Sequence, residues 1–190
     1  KTKNLMKAFG GLKAIDKVDF ELPAGEIRGI IGPNGSGKST FFNLVSGVYD
    51  PDPGSYIEFD GHDITNEPPH KIGALGLSRT FQLLRLYQDM SVINNVMSGY
   101  HTRVKYKFFD AVIGRKKIWD QEREIKEEMM ELLSFVGLAD YAELNASELS
   151  GGQRRLLVLA RAIAMRPKLL MLDEPAAGLS PVNVDNLMKI

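Results

Sequence analysis

Gly32-Pro33-Asn34-Gly35-Ser36-Gly37-Lys38-Ser39 decides how the rest of this chain is read. The segment fits G-x-x-x-x-G-K-[ST], follows the apolar run Ile27 to Ile31 (broken by Arg28 and Gly29) and precedes the helix-like stretch Thr40 to Ser46. Strand, glycine-rich loop and helix in that order make a phosphate-binding loop. Glycines let backbone N–H groups converge on an anion with no Cβ in the way. The helix that follows aims its positive dipole end at the same anion. Lys38 is expected to bridge the β- and γ-phosphates of a nucleotide, and the Ser39 hydroxyl to sit on Mg²⁺.

A second segment points the same way. Leu149-Ser150-Gly151-Gly152-Gln153 opens a helical run, and Leu169-Leu170-Met171-Leu172 then leads into Asp173-Glu174-Pro175. Four apolar residues ending in two carboxylates read as a buried parallel strand with Asp173 and Glu174 at its C-terminal tip. In an open α/β sheet that tip is where ligands bind. Asp173 suits Mg²⁺ coordination through water, and Glu174 suits polarising an attacking water.

Together, Gly32–Ser39, Leu149–Gln153 and Leu169–Glu174 resemble the nucleotide-binding domain of an ABC ATPase. Leu-Ser-Gly-Gly-Gln is that family's own signature, and Gln153 stands 20 residues before Asp173, the spacing the family uses. The resemblance covers nearly the whole chain. Phe9 matches the aromatic residue that stacks on adenine, and Gln82 matches the glutamine of the Q-loop, a further contact to nucleotide and Mg²⁺. Ala177-Gly178-Leu179-Ser180 occupies the loop after the second acidic strand. More narrowly, Ser78–Gln82, Asp173–Leu179 and the basic segment Arg103–Lys117 resemble the ATPases of branched-chain amino-acid importers.

The resemblance implies an α/β fold: a P-loop NTPase with a RecA-like parallel core, an N-terminal antiparallel β subdomain and an inserted α-helical subdomain. Residues 1–190 would form one such domain, with 1–82 and 150–190 as ATP-binding core and 83–149 as helical subdomain. The family has a further strand and a loop histidine beyond the position of Ile190, whereas His62, His70 and His101 all lie upstream. The domain is therefore expected to lack its C-terminal part. The implied activity is Mg²⁺-ATP hydrolysis in a head-to-tail dimer with a second, identical or different, ATPase subunit. Each ATP would be held by Gly32–Thr40 (Gly32, Pro33, Asn34, Gly35, Ser36, Gly37, Lys38, Ser39, Thr40) of one subunit and by Ser150, Gly151, Gly152 and Gln153 of the other. Ser39, Gln82 and Asp173 would meet Mg²⁺, and Glu174 would act on water. Transmembrane permease subunits complete such a transporter, which places the chain peripherally on the cytoplasmic face of the cell's inner membrane.

Composition agrees. Lysine and arginine total 24, as do aspartate and glutamate, so no overall field favours nucleic acid. A hydrophobic content of 44% can build a core, and no run approaches the roughly 18 apolar residues of a membrane span. The absence of cysteine removes disulfides and thiolate metal sites. With no secretory signal at its start, the segment is expected in the cytoplasm.

Along the chain, Phe9 to Glu26 reads as strand, turn and strand, with Val18–Leu22 alternating apolar and polar. Asp50-Pro51-Asp52-Pro53-Gly54 breaks the pattern, and Tyr56–Phe59 with Asp60-Gly61 continues as strand and turn. These early strands should form an antiparallel sheet. From about Leu83 to Ser147 the character is helical, with Ile125, Met129, Leu132, Leu133 and Val136 on one face and Gly137 where a C-cap belongs. Gln153 to Met165 is helical and stops near Arg166-Pro167, with Arg154, Arg155 and Arg161 solvated or ion-paired. Pro181 would open a last helix behind Ser180.

Two other readings share part of this evidence. A soluble, non-transport ABC-type ATPase uses the same three motifs, but commonly carries paired cassettes or coiled-coil insertions. A nucleotide-binding fragment with little hydrolysis would follow from the missing histidine loop. A Rossmann dinucleotide site is disfavoured because Gly35-Ser36-Gly37-Lys38-Ser39-Thr40 lacks the third small residue, and no kinase-type HRD or DFG is present.

Overall fold

The computed structural model describes residues 1–80, 86–100 and 115–175, the last segment with its side chains from residue 122 onward. Gln82, the basic segment over 103–114, the 177–180 loop and the helix expected at Pro181 lie outside the described residues. The chain divides into two compact units, Lys1–Leu77 and Ser78–Ile190.

In the first unit, β1 (Thr2–Phe9), β2 (Leu12–Phe20), β3 (Tyr56–Phe59) and β4 (His62–Asp63) form an antiparallel sheet in the order β2-β1-β3-β4. The antiparallel expectation holds, but the first strand begins at Thr2, well before Phe9. Its alternation is hidden by register shifts along the β1–β2 ladder, where Asn4 (φ 49°) and Lys17 (φ 53°) take left-handed backbone. The irregularity at Asn4 lets Thr2 and Leu5, three positions apart, both turn inward. The Asp60-Gly61 turn closes β3 onto β4 with both residues at positive φ, the geometry of a type I′ hairpin.

Helix α1 (Lys38–Val45) covers this sheet. Phe41 meets Phe20 of β2 edge-on at 5.4 Å between ring centroids, and Phe41 and Leu44 are buried, as are Leu5, Ile15 and Ile57. A short helix α2 (Pro69–Ala74) buries Ile72.

The strand expected over Ile27–Ile31 does not form. Those residues have no regular structure, and Ile27 and Ile31 are fully exposed. The local reason is electrostatic. Arg28 donates to the Glu21 carbonyl at 2.6 Å and pairs with Glu26 at 2.9 Å, while the Pro23 turn is closed by Glu26 N–H at 3.3 Å. The segment thus folds back on its own polar groups, and an apolar run interrupted by Arg28 and Gly29 has little to offset that.

Among the described residues, the second unit pairs β5 (Leu77–Thr80) with β6 (Leu169–Leu172) in a two-stranded parallel sheet and gathers three helices. These are α3 (Val92–Tyr100), α4 (Arg115–Phe135) and α5 (Gly151–Ala164). Strand β6 is less buried than an apolar run suggests: Met171 is inside and its neighbours are half-exposed.

The helices share one apolar core. Val92 and Val96 of α3, Met129 and Leu133 of α4 with Val136 just past its end, and Leu156, Leu157 and Ala160 of α5 belong to it, with Ile125 and Leu132 packed at its margin. The expected face of α4 is therefore core, and Gly137 (φ 74°) ends the helix while Leu138 N–H reaches back to the Leu133 carbonyl at 2.7 Å. Helices α3 and α5 approach so closely that a Cβ on Gly99 would collide with the backbone oxygen of Arg161. Asn95 is fully buried and satisfied. Its Nδ2 donates to the carbonyls of Tyr87, Met90 and Ser91, and its Oδ1 accepts from Tyr87 N–H at 3.0 Å. One side chain thereby moors the segment leading into α3 to the helix itself.

Leu133 has no exposed surface and sits centrally among α3, α4 and α5. In the full-length chain, Leu133→Ala should cost about 2–5 kcal/mol, measured as a lower midpoint with unchanged slope in urea unfolding.

Candidate functional site

The phosphate-loop residues Gly32 to Ser36 stand exposed before α1, and Gly37 and Lys38 are half-buried at its start. Ser36 N–H bonds the Pro33 carbonyl at 3.2 Å, and Gly35 and Gly37 take φ of 80° and 92°. Only glycine fits at 37. Its backbone is left-handed, and a Cβ there would lie 2.5 Å from the Ala14 carbonyl oxygen of β2. Gly37 is the N-cap of α1, with no side-chain cap and no acidic residue in the first turn. The first N–H groups of a helix have no partner inside it, so this end is left open to an anion.

Lys38 folds back over the same loop. Its Nζ donates to the carbonyls of Gly32 at 2.7 Å and Pro33 at 2.9 Å. The loop's own oxygens hold the ammonium beside its N–H groups. Ser39 presents an exposed hydroxyl on the first turn, and Thr40 follows half-buried.

Phe9, at the end of β1, is 45% exposed. Tyr49 meets it edge-on at 5.5 Å, and Lys7 Nζ lies 5.7 Å from its ring centroid. Lys7 is fixed in turn by the Asp50 carbonyl at 2.6 Å and by Asp52 at 3.6 Å. A partly exposed aromatic ring steadied by its neighbours suits stacking on a flat heterocycle. The sequence reading missed Tyr49; the one signal available was an aromatic residue directly before the Asp50–Gly54 breaker.

In the second unit, Ser150 caps α5 in a reciprocal box. Its Oγ accepts from Gln153 N–H at 3.3 Å, and Gln153 Oε1 accepts from Ser150 N–H at 2.8 Å. Gly151, on the first turn, has open space where a Cβ would stand. Arg154 is half-exposed, and its guanidinium donates to the carbonyls of Leu149 at 2.8 Å and Ser147 at 3.3 Å, fastening the approach to the signature. Arg161 lies 5.9 Å over the Tyr87 ring, and burial lowers its pKa.

At the tip of β6, Asp173 is nearly buried and pairs with Arg79 of β5 at 3.0 Å. Its N–H also donates to Thr80 Oγ1 at 3.4 Å. Arg79 and Thr80 entered the sequence reading only as part of a family motif. No local signal joins positions 94 residues apart. Glu174 is exposed and takes left-handed backbone, φ 50°. A non-glycine residue held there costs of order 1–3 kcal/mol, and such strain gathers at functional sites. It also breaks strand alternation, so the two carboxylates leave β6 in a turn.

Among the described residues, no group of three or more His, Asp or Glu could cage a metal. Mg²⁺ keeps several waters and is typically held by one or two carboxylates and the substrate's phosphates. In the second unit, Asp173 is one such carboxylate; in the first, Ser39 carries an exposed hydroxyl.

The comparisons with known proteins agree with this chemistry. The ABC transporter family model matches residues 15–177. A probable branched-chain amino acid transport ATP-binding protein, LivG, of Archaeoglobus fulgidus is 45% identical over 185 residues, covering 95% of this chain and 69% of the relative. BraF of Pseudomonas aeruginosa, a high-affinity branched-chain amino acid transport ATP-binding protein, is 39% identical over 96% of this chain and 71% of its own. Among solved structures, an ATP-binding cassette of an ABC transporter in its ADP conformation is 34% identical with a TM-score of 0.80, covering 99% of this chain and 73% of the other. A dimeric bacterial ABC transporter cassette, 22% identical, shares the fold with a TM-score of 0.80. The family match over most of the chain and the identity to these relatives make the conclusion plain: the chain belongs to the ABC transporter family, as an ATP-binding, ATP-hydrolysing subunit.

Proposed function

We propose that this subunit powers import of branched-chain amino acids. It would do so as one half of a head-to-tail ATPase dimer, bound peripherally to permease subunits on the cytoplasmic face of the membrane. The observation that carries the nucleotide chemistry is the uncapped start of α1, with Lys38 folded onto the Gly32 and Pro33 carbonyls. The solute rests on relatives 45% and 39% identical that are named for that transport. Among the described residues no helix is long and apolar enough to cross a membrane, which fits a subunit that relies on a partner for that.

Within that reading, the exposed N–H groups of Gly32–Thr40 receive the β- and γ-phosphates. Lys38 exchanges its two loop carbonyls for phosphate oxygens, and Phe9, steadied by Tyr49, stacks on the adenine. Mg²⁺ bound with ATP supplies charge neutralisation on the phosphates. Ser39 would hold it through its hydroxyl, Asp173 through water, and Gln82 as a further ligand. The Glu174 carboxylate orients the attacking water and takes up its proton.

Ser150 to Gln153 serve the partner's nucleotide. Ser150 would offer a hydroxyl, and Gly151 and Gly152, the first two residues of α5, their backbone N–H groups, with open space where a Cβ on Gly151 would stand. Bound ATP then bridges two subunits, and loss of its γ-phosphate removes the bridge. Open and closed dimers interconvert by that difference in binding.

Lys38→Ala should remove detectable ATP binding in a calorimetric titration while leaving the circular dichroism unchanged, since Lys38 is the only charged side chain of the loop. ATP affinity near the original would sink the assignment.

Glu174→Gln in the full-length chain should lose at least about a hundredfold in turnover, the scale of general-base catalysis, and retain ATP. Adding Gly152→Asp should then leave monomer affinity for ATP within about threefold and abolish ATP-driven dimerisation in light scattering, since an added like charge and a Cβ oppose the phosphate. A dimer that persists would reduce Leu149–Gln153 to a helix start.

A further inference from the structure

Asp173 has a partner that the ATPase chemistry does not require. The Arg79 guanidinium stands 3.0 Å from Asp173 Oδ2, with side-chain exposures of only 6% and 10%. Two successive residues of β5 grip it: Arg79 at the carboxylate and Thr80 Oγ1 at the backbone N–H. We propose that Arg79 is a positioning residue for magnesium. It holds the Asp173 carboxylate in place when no metal is bound, and its charge sets how much Mg²⁺ the site requires. This rests on the reading of Asp173 as a magnesium-facing group.

The argument is one of charge in a confined place. A carboxylate this buried is costly to leave unpaired, so some cation must accompany it before metal arrives. Arginine fits because its planar fork stays protonated and can meet a carboxylate oxygen from a neighbouring strand. The same charge opposes a second cation. Two positive groups at one carboxylate repel strongly where water is scarce, so Mg²⁺ binds against Arg79 as well as toward Asp173. The chain thereby gains a carboxylate already in position and binds metal less tightly. A pair that only stabilised the fold would give the first effect without the second.

The test measures Mg²⁺ dependence of nucleotide binding in the full-length chain, followed by a fluorescent ATP analogue at fixed concentration. Arg79→Met keeps the length and removes the charge. It should lower the half-saturating Mg²⁺ concentration by about tenfold, the scale of coupling between close, partly screened charges. Arg79→Lys, which restores the charge, should return it to within about threefold of the original. A midpoint in Arg79→Met that is unchanged or raised overturns the proposal.

Should Arg79→Met not fold, the unmodified protein still decides. The side-chain ¹⁵N–¹H resonance of Arg79 should shift when Mg²⁺ is added to the ATP complex and not when ATP is added in chelator. A resonance insensitive to Mg²⁺ overturns the proposal equally. Asp173→Asn separates the two levels. It should raise the Mg²⁺ requirement; if it does not, the magnesium reading of Asp173 fails. If it does while Arg79→Met is silent, the role of Arg79 alone fails.

Discussion

The N–H groups that begin a helix have no acceptor within it, and this chain treats that fact in two opposite ways. At α1 the cap is Gly37, which offers no side-chain acceptor, and Lys38 turns its ammonium toward the loop. At α5 the cap is Ser150, which with Gln153 closes a reciprocal box. An open start is costly for an isolated helix, and it is tolerated here because Phe41 and Leu44 bury α1 against its sheet. Packing supplies what capping withholds. The phosphate loop can stay open only because the apolar side of α1 is anchored.

The helical unit shows the complementary solution. Its signature lies at the end of a chain of satisfied polar groups: Asn145 and Glu148 cap one another, Arg154 ties the Leu149 and Ser147 carbonyls, and Ser150 follows. Behind it, α5 is locked to α3 where Gly99 meets the Arg161 backbone. Gly151 and Gly152 therefore stand on a helix start whose approach and packing are both fixed by satisfied contacts.

At the strand tips the governing quantity is charge. Asp173 is nearly buried and paired, while Glu174 is exposed and strained in left-handed backbone. Two adjacent carboxylates thus sit in different environments, a common way for one site to assign different tasks to like groups.

The phosphate loop and the acidic strand tip were legible in the residues because each depends on local chemistry, glycines for N–H access and a carboxylate after an apolar strand, whereas Leu149–Gln153 was legible through its resemblance to a family motif. The face of α4 was legible too, since Met129, Leu133 and Val136 keep helical spacing, and Gly137 ends the helix as a left-handed C-cap must. Other features belong to tertiary structure. The start of β1 was concealed by left-handed residues at Asn4 and Lys17, whose effect is seen only against the paired strand. Ile27–Ile31 has the composition of a strand, yet Arg28 ties its neighbourhood to Glu21 and Glu26. Tyr49 acquires its role from contact with Phe9, and Arg79 from a carboxylate 94 residues away. Sequence determines which groups can carry a charge or free an N–H; only the fold decides which of them share the same few ångströms, because Coulomb and contact energies depend on separation in space and not along the chain.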